Sequence, residues 1–210
     1  MQMPVQIRLV RPDDEKQLCE IIEEAWNYQR YSKKKRVVNA IVKHIFLEYA
    51  MEQSYMRVAV QGEKIMGLLM GRNEEDYSRQ QVLCYLSKRI LLSIYLYGTR
   101  EGRRYFRNSR IENRADRHLL RDCIDDFDGE LVLFVVRNEA QGKGIGRLLL
   151  RDFTQYMRDR GAEDFFVLTD DFCNVDFYIR RGYKKVKSVP SRFRKSGKPA
   201  KFYLLKNSLL

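Results

Sequence analysis

Three glycines in five residues, Gly142, Gly144 and Gly146, stand between the apolar run GELVLFVV (Gly129 to Val136) and the segment LLLRDFTQYM that begins at Leu148. The run has strand length and is rich in β-branched and aromatic residues, which predicts a strand buried on both faces. In the following segment Leu148, Leu149, Phe153, Tyr156 and Met157 recur at helical spacing, and Gly161 stands where a C-terminal cap belongs. A loop joining such a strand to such a helix faces the helix's unpaired N–H groups and the positive end of its dipole. Glycines there cost conformational entropy and let a ligand come close to the main chain. The stretch therefore reads as a phosphate cradle.

Spacing separates the cradles that could fit. The nucleotide P-loop pattern G-x-x-x-x-G-K-[ST] occurs nowhere in the chain. The dinucleotide fingerprint G-x-G-x-x-G fails as well, because its third glycine would fall on Arg147 or Leu149. A third pattern, Q/R-x-x-G-x-G/A, is filled by Gln141, Gly144 and Gly146. It resembles the coenzyme A pyrophosphate loop of the GNAT superfamily of N-acetyltransferases. The resemblance implies that Gln141, Gly142, Lys143, Gly144, Ile145, Gly146 and Arg147 hold acetyl-CoA. It also implies that strand backbone near Val135 or Val136 donates to the reacting carbonyl.

A second segment carries the same resemblance. After the apolar strand FFVLT (Phe165 to Thr169) comes DDFCNVDFYIRRGYKKV, in which Asn174 can cap a short helix bearing Phe177 and Tyr178 and ending at Gly182. The order N…FY…GY is similar to the segment after the pyrophosphate helix in GNAT enzymes. The resemblance gives Asn174 a contact with the pantetheine arm and Tyr178 the protonation of the departing thiolate. Asn174 precedes Tyr178 by four residues, a shorter interval than in many members.

Acetyl transfer to an amine needs a base, since an alkyl amine is mostly protonated at pH 7. Glu130 opens the apolar strand eleven residues before Gln141, an offset that resembles the catalytic glutamate of histone-type GNAT enzymes. A carboxyl at the end of a buried strand is raised toward neutrality by desolvation. Asp126 and Asp128 are near enough in sequence to serve instead. With Asp125 they make the acceptor entrance locally negative, which points to a cationic primary amine.

The remaining elements agree in order with that family. VQIRLV predicts a first strand, and Pro12 and Asp13 start a helix that buries Leu18, Ile21, Ile22, Ala25 and Trp26. A second helix follows around Val38 to Tyr49. YMRVAV and KIMGLLMG then form a hairpin about Gly62, and KKVKSV and KFYLLK are the final strands. The expectation is one domain over 1–210: a mixed α/β GNAT fold, its central, mostly antiparallel sheet flanked by helices. A charged stretch, 73–128, has apolar residues near helical spacing (Val82, Leu86, Ile90, Ile94, then Leu119, Leu120, Ile124) and predicts a helical insertion before the fourth strand. A structureless loop of that length does not suit a compact domain. The insertion either tailors the acceptor site or a subunit contact, or packs over a sheet edge.

Composition bounds the partners. At 210 residues, with 44% hydrophobic and 32% charged, the chain suits one soluble domain. The N-terminal residues lack an apolar signal core, and the apolar stretch from Val82 to Gly98 is broken by Ser87, Lys88 and Arg89, so a cytoplasmic protein without a membrane span is expected. Cys19, Cys84, Cys123 and Cys173 are scattered and only two histidines exist, which argues against a metal site and favours buried, inert thiols. Forty basic against 28 acidic residues give +12. Arg137, Lys143 and Arg147 flank the loop and suit an anionic cofactor. The runs SKKKR, GRRYFRNSR and SRFRKSGKPAK exceed that need, leaving nucleic-acid contact as an alternative. The reading is an acetyl-CoA-dependent N-acetyltransferase acting by direct transfer, as a monomer or homodimer. The alternatives are a catalytically idle acetyl-CoA sensor of the same fold and a basic RNA-binding adaptor.

Overall fold

Gly62, at φ 62°, turns β2 (Tyr55–Gln61) back on β3 (Lys64–Asn73), the hairpin expected from the sequence. The structure is a computed structural model and describes residues 4–121, 123, 126–195 and 198–209. Ile124 and Asp125 lie outside the described residues. β1 (Val5–Leu9) pairs with β2, and α1 (Glu15–Trp26) and α2 (Lys35–Glu52) run between these two strands in the chain. The insertion supplies α3 (Arg79–Tyr97) and α4 (Arg100–Leu120), followed by β4 (Gly129–Val136), α5 (Ile145–Asp159), β5 (Asp164–Asp170), the short α6 (Val175–Ile179), β6 (Lys184–Lys195) and β7 (Lys198–Ser208). The seven strands form one sheet in the order β1-β2-β3-β4-β5-β7-β6. Every neighbouring pair is antiparallel except β4 and β5.

Apolar side chains leave both faces of this sheet. One core joins Leu18, Ile22, Ile41 and Ile45 of α1 and α2 to Val58, Leu68, Leu133 and Val135. The opposite core joins Leu149, Phe153 and Met157 of α5 to Leu69, Leu131, Phe165 and Leu205. Phe153 is fully buried, and its ring fills the space a side chain on Gly71 would need, a Cβ there falling 2.0 Å from Phe153 Cε2. Removing a ring so placed costs about 3–5 kcal/mol. A third cluster sets Leu119 of α4 on Phe166, Val189, Phe202 and Leu204.

Two helices occupy most of the charged stretch 73–128, and the packed face of α3 departs from the spacing of its apolar residues. Tyr85, Leu92 and Leu96 of α3 pack on the core beside α2, whereas Leu83, Ile90, Leu91 and Ile94 are exposed. Apolar residues surround α3, so periodicity alone does not select its inner face. Gly102 lets α4 turn sharply beside α3, since a Cβ there would lie 2.1 Å from the Leu96 carbonyl oxygen. His44 of α2 holds both insertion helices, with Nε2 3.1 Å from Ser93 Oγ and Nδ1 3.1 Å from the Tyr105 hydroxyl. Ser93 donates its proton to the Arg89 carbonyl, so Nε2 carries the ring proton and Nδ1 accepts from Tyr105. At the other end Asp76 accepts from the Tyr156 hydroxyl at 2.8 Å and from Arg160 at 2.6 Å, tying the insertion to α5.

The cysteines differ from expectation. Cys84 and Cys173 are exposed and Cys19 and Cys123 are partly so; Cys84 sits on the outer side of α3 and Cys173 in the turn after β5. Desolvation, the largest cause, raises the half-buried Cys19 thiol to about 11, so it is not an activated nucleophile.

Candidate active site

One surplus residue in β4 opens the site. Met70 pairs with Leu133 and Arg72 with Glu130, so two steps along β3 are matched by three along β4, a β-bulge at Leu131 and Val132. Leu131 accordingly joins the core under α5, and Leu133 joins the opposite one. Pairing of β4 with β5 is confined to Glu130 and Phe166. Among the described residues no further β4–β5 pairing is made between there and the strand ends at Val136 and Asp170. Arg137 N donates to Met66 O at 2.9 Å, and ladder alternation turns the Val135 amide toward β3 as well. Val136 is the residue whose N–H faces the opening; Val135 is not.

The glycine loop sits at the wide end of this opening. Gly142 and Gly144 have φ of 76° and 82°, and a Cβ on either would meet nothing within 4 Å. Both are glycine for backbone conformation, and open space lies in front of them. Gly146 is glycine for another reason: a Cβ there would stand 3.1 Å from Phe134 Cζ, so it allows α5 to lie close on β4 and α6. The first intrahelical bond of α5 runs from Leu148 N to Gly144 O at 3.0 Å, leaving the N–H groups of Ile145, Gly146 and Arg147 outside the helical ladder. Gln141 braces the loop, its Nε2 3.4 Å from the Val136 carbonyl and 3.2 Å from Asn138 Oδ1. A depression of ≈ 320 Å³ beside this helix end is lined by Gly144, Arg147, Leu148 and Arg151.

These features fit a diphosphate: unpaired amides, room at the backbone, and cations one helical turn apart at Arg147 and Arg151. Arg151 lies outside the loop motif, and its i, i+4 relation to Arg147 is the only sequence signal that connects it with the loop. Lys143 is exposed beside the loop. Arg137 is otherwise engaged than expected. Its guanidinium bonds the Ile65 carbonyl at 2.7 Å and meets Glu24 at 3.1 Å and Glu20 at 3.5 Å, so it fastens α1 to the sheet.

Glu130 lies on the face that α2 and α4 cover, 3.1 Å from Arg72, with 14% of its side chain exposed. Burial pushes its carboxyl up to about 7 against the pull of Arg72, and Glu52, Asp116 and Glu74 add to the rise. Asp116 of α4 is itself raised to about 7, chiefly by burial and then by Asp170 and Glu52. Arg72, Glu52 and Asp116 had no local sequence signal, since three distant elements bring them to Glu130. Asp128 has a structural task, accepting from the Glu163 and Asp164 backbone amides at 2.7 and 3.2 Å. Asp126 is exposed. The negative charge near Glu130 therefore comes from Glu52 of α2, Asp116 of α4 and Glu74 just after β3 and not from the neighbouring aspartates.

Tyr178 of α6 is 8% exposed and packs edge-on against Phe177 and Tyr183, in the core on the α5 side. Burial, with a smaller effect of Cys173, holds its hydroxyl protonated far above neutral pH. Asn174 caps α6, its Oδ1 accepting from Phe177 N at 3.1 Å, which leaves its amide NH₂ as a donor. The structure thus brings the loop, α6 and the β4–β5 opening together, with Glu130 on one face of the sheet and Tyr178 on the other. Among the described residues no group of three His, Cys, Asp or Glu side chains is arranged to hold a metal, and no helix is long and apolar enough to cross a membrane.

Comparison with known proteins agrees with this geometry. Residues 120–197 match the model of the acetyltransferase (GNAT) domain. Among solved structures, SsHAT is similar at TM-score 0.62 and 18% identity, covering 98% of each chain. Ard1 from Thermoplasma volcanium gives 0.56 and 14%, again over 98% of each chain. The ribosomal-protein-S18-alanine N-acetyltransferase from Escherichia coli gives 0.54 and 9%, over 98% of this chain and 94% of that one. No curated protein sequence gives a significant match. Residues 120–197 thus match a GNAT acetyltransferase domain, and the full-length likeness to these structures shows that the chain shares their fold.

Proposed function

We propose that the protein is an acetyl-CoA-dependent N-acetyltransferase that moves an acetyl group to a primary amine by direct transfer. The observation that carries this reading is the confinement of β4–β5 pairing to Glu130 and Phe166, on a strand that runs from a carboxyl held near neutrality to a glycine-lined helix N-terminus. When bound, acetyl-CoA supplies an activated thioester carbonyl. The unpaired amides at Ile145, Gly146 and Arg147, with Arg147 and Arg151, suit its diphosphate. The Asn174 amide NH₂ suits the polar arm that follows.

The chain's own groups then do the proton work. An amine arriving as the ammonium ion gives one proton to Glu130, whose position near neutrality lets it accept at pH 7 and release to solvent. The Val136 N–H is the strand amide left to polarise the carbonyl. As the nitrogen–carbon bond forms and the carbon–sulfur bond breaks, the Tyr178 hydroxyl protonates the leaving sulfur. The second amine proton passes to solvent, and Tyr178 is reprotonated from solvent. Free thiol, amide and one proton are the products. Carboxyls of Glu52, Asp116 and Glu74 around Glu130 favour a cationic amine at the point of attack. The test is release of free thiol from acetyl-CoA in the presence of a panel of primary amines. Release that depends on both the amine and Glu130 is expected; acetyl-CoA binding with no amine-dependent thiol would leave a sensor.

A further inference from the structure

A second cavity, of ≈ 610 Å³, lies between α4 and the β6–β7 hairpin. Its size is that of a small-molecule site. Val189 and Phe202, both buried, form an apolar floor, and Arg114, Arg117, His118 and Arg121 line it from α4. Among the described residues none of these three arginines makes an ion pair, whereas Arg8, Arg72, Arg89, Arg137 and Arg160 all do. Lys187 adds further positive charge as it caps α4, donating to the carbonyls of His118 at 3.0 Å and Arg121 at 3.3 Å. An apolar floor under unneutralised cations suits a ligand with an apolar body and an anionic end.

The cavity adjoins the transfer site through two elements. Phe202 of its floor pairs across β7 and β5 with Asp170, at the end of β5, and Asp170 in turn acts on Asp116. On α4, Asp116 stands between Ala115 and Arg117, which line the cavity, yet Asp116 interacts with Asp170 and Glu52 on the Glu130 side. The insertion thus presents carboxylate toward the reacting centre and guanidinium one residue away.

We propose that this groove receives the anionic end of the acceptor, so that the acceptor is a primary amine joined through an apolar body to a phosphate or carboxylate. The inference rests on the acetyltransferase reading and names its substrate class. It reconciles a strongly basic chain with an acidic centre, because each pole of the acceptor meets the opposite charge.

The experiment compares 6-aminohexyl phosphate with 6-aminohexanol, which share amine and chain and differ in the anion. The wild type is expected to favour the phosphate by at least about tenfold in kcat/KM, chiefly through KM, with the preference shrinking as salt rises. Arg114→Ala with Arg117→Ala should bring the ratio close to one and leave the KM for acetyl-CoA and turnover of 6-aminohexanol unchanged. A second arm needs no turnover: hexyl phosphate, which has no amine, is titrated calorimetrically into wild type and double variant, with binding expected in the first and lost in the second. Equal use of the two amines, or hexyl phosphate binding that is absent or indifferent to the two arginines, overturns the proposal. So does tight, steeply salt-dependent binding of a single-stranded oligonucleotide that these substitutions abolish, which would make the groove a nucleic-acid surface. Hexyl phosphate binding with neither amine acetylated would overturn the acceptor role and the transferase reading together, leaving an anion site.

Discussion

Arg72 and Glu130 face each other across β3 and β4, guanidinium to carboxylate at 3.1 Å, at the last paired position before the β4 bulge. Arg72 pulls the carboxyl down while burial and the surrounding acids push it up, and the balance is about 7. Activity should therefore rise with pH through an apparent value near 7, as Glu130 loses its proton. Arg72→Met should move that rise to higher pH, and Glu130→Gln should lower turnover by about 10²–10⁴. Profiles of kcat/KM against pH for the three proteins check this; a wild-type profile surviving in Glu130→Gln would remove the residue from proton transfer.

The same carboxyl carries a stability consequence of opposite sense. Its folded value lies above the ordinary glutamate value, so the unfolded chain binds fewer protons between about 4.5 and 7, and Glu130 loses stability for the fold as pH rises through that window. Glu130→Gln should stabilise the protein at pH 8 relative to wild type and do little at pH 4.5. Urea midpoints at the two pH values measure this, and an equal effect at both would contradict it.

Tyr178→Phe keeps a ring that packs on Phe177 and Tyr183 and removes only the hydroxyl. Folding and acetyl-CoA affinity should hold, while turnover falls by about 10²–10⁴. Turnover near that of wild type would assign the sulfur's proton to water, and lost cofactor affinity would make Tyr178 a structural residue.

Gly144 and Gly146 should separate by mechanism. At Gly144, where φ is 82° and the space ahead is open, valine strains the backbone and occupies the mouth of the loop. Coenzyme A at about a hundred times its dissociation constant should stabilise the wild type by roughly 2.7 kcal/mol, and Gly144→Val should abolish that increment. Gly146→Val should instead lower stability without ligand, because its side chain meets Phe134 and Val136. Thermal melts with and without coenzyme A distinguish the two, and no shift for the wild type would count against the cradle.

His44 should make the insertion acid-sensitive. Burial, then Arg89, lower its value from 6.5 to about 4, so the unfolded chain binds the extra proton between these limits. The stability it contributes is complete above about 6.5 and is lost as pH falls toward 4, up to about 3 kcal/mol. A protonated Nδ1 would also confront the donor Tyr105 hydroxyl. His44→Gln should flatten urea stability over this range, and an unchanged slope would refute the assignment.

Much of the fold was legible because it rests on local signals. GELVLFVV predicted β4 to the residue, Gly62 marked the hairpin, and Asn174 and Gly182 bracketed α6. The final strands were recognised, but the placement of β7 between β5 and β6 leaves no trace in composition. The inner face of α3 was hidden by its all-round apolarity. At the site, the loop and its helix follow from spacing, whereas Arg72, Glu52 and Asp116 converge on Glu130 from β3, α2 and α4, and nothing in the neighbourhood of any one of them announces the others. Asp126 and Asp128 are near Glu130 in the chain, yet Asp128 accepts from the backbone at the start of β5, a partnership the sequence does not announce.

The bulge at Leu131 and Val132 divides β4 into two segments whose side-chain alternation is out of phase. Glu130 keeps time with Arg72 and the face covered by α2 and α4, while everything from Leu133 onward keeps time with the loop. The two halves of the site can therefore drift independently. A change of one residue at the bulge would leave the glycine loop where it is and rotate the carboxyl to the opposite face, so this position is where a protein of this shape would lose or regain its base without disturbing its hold on the donor.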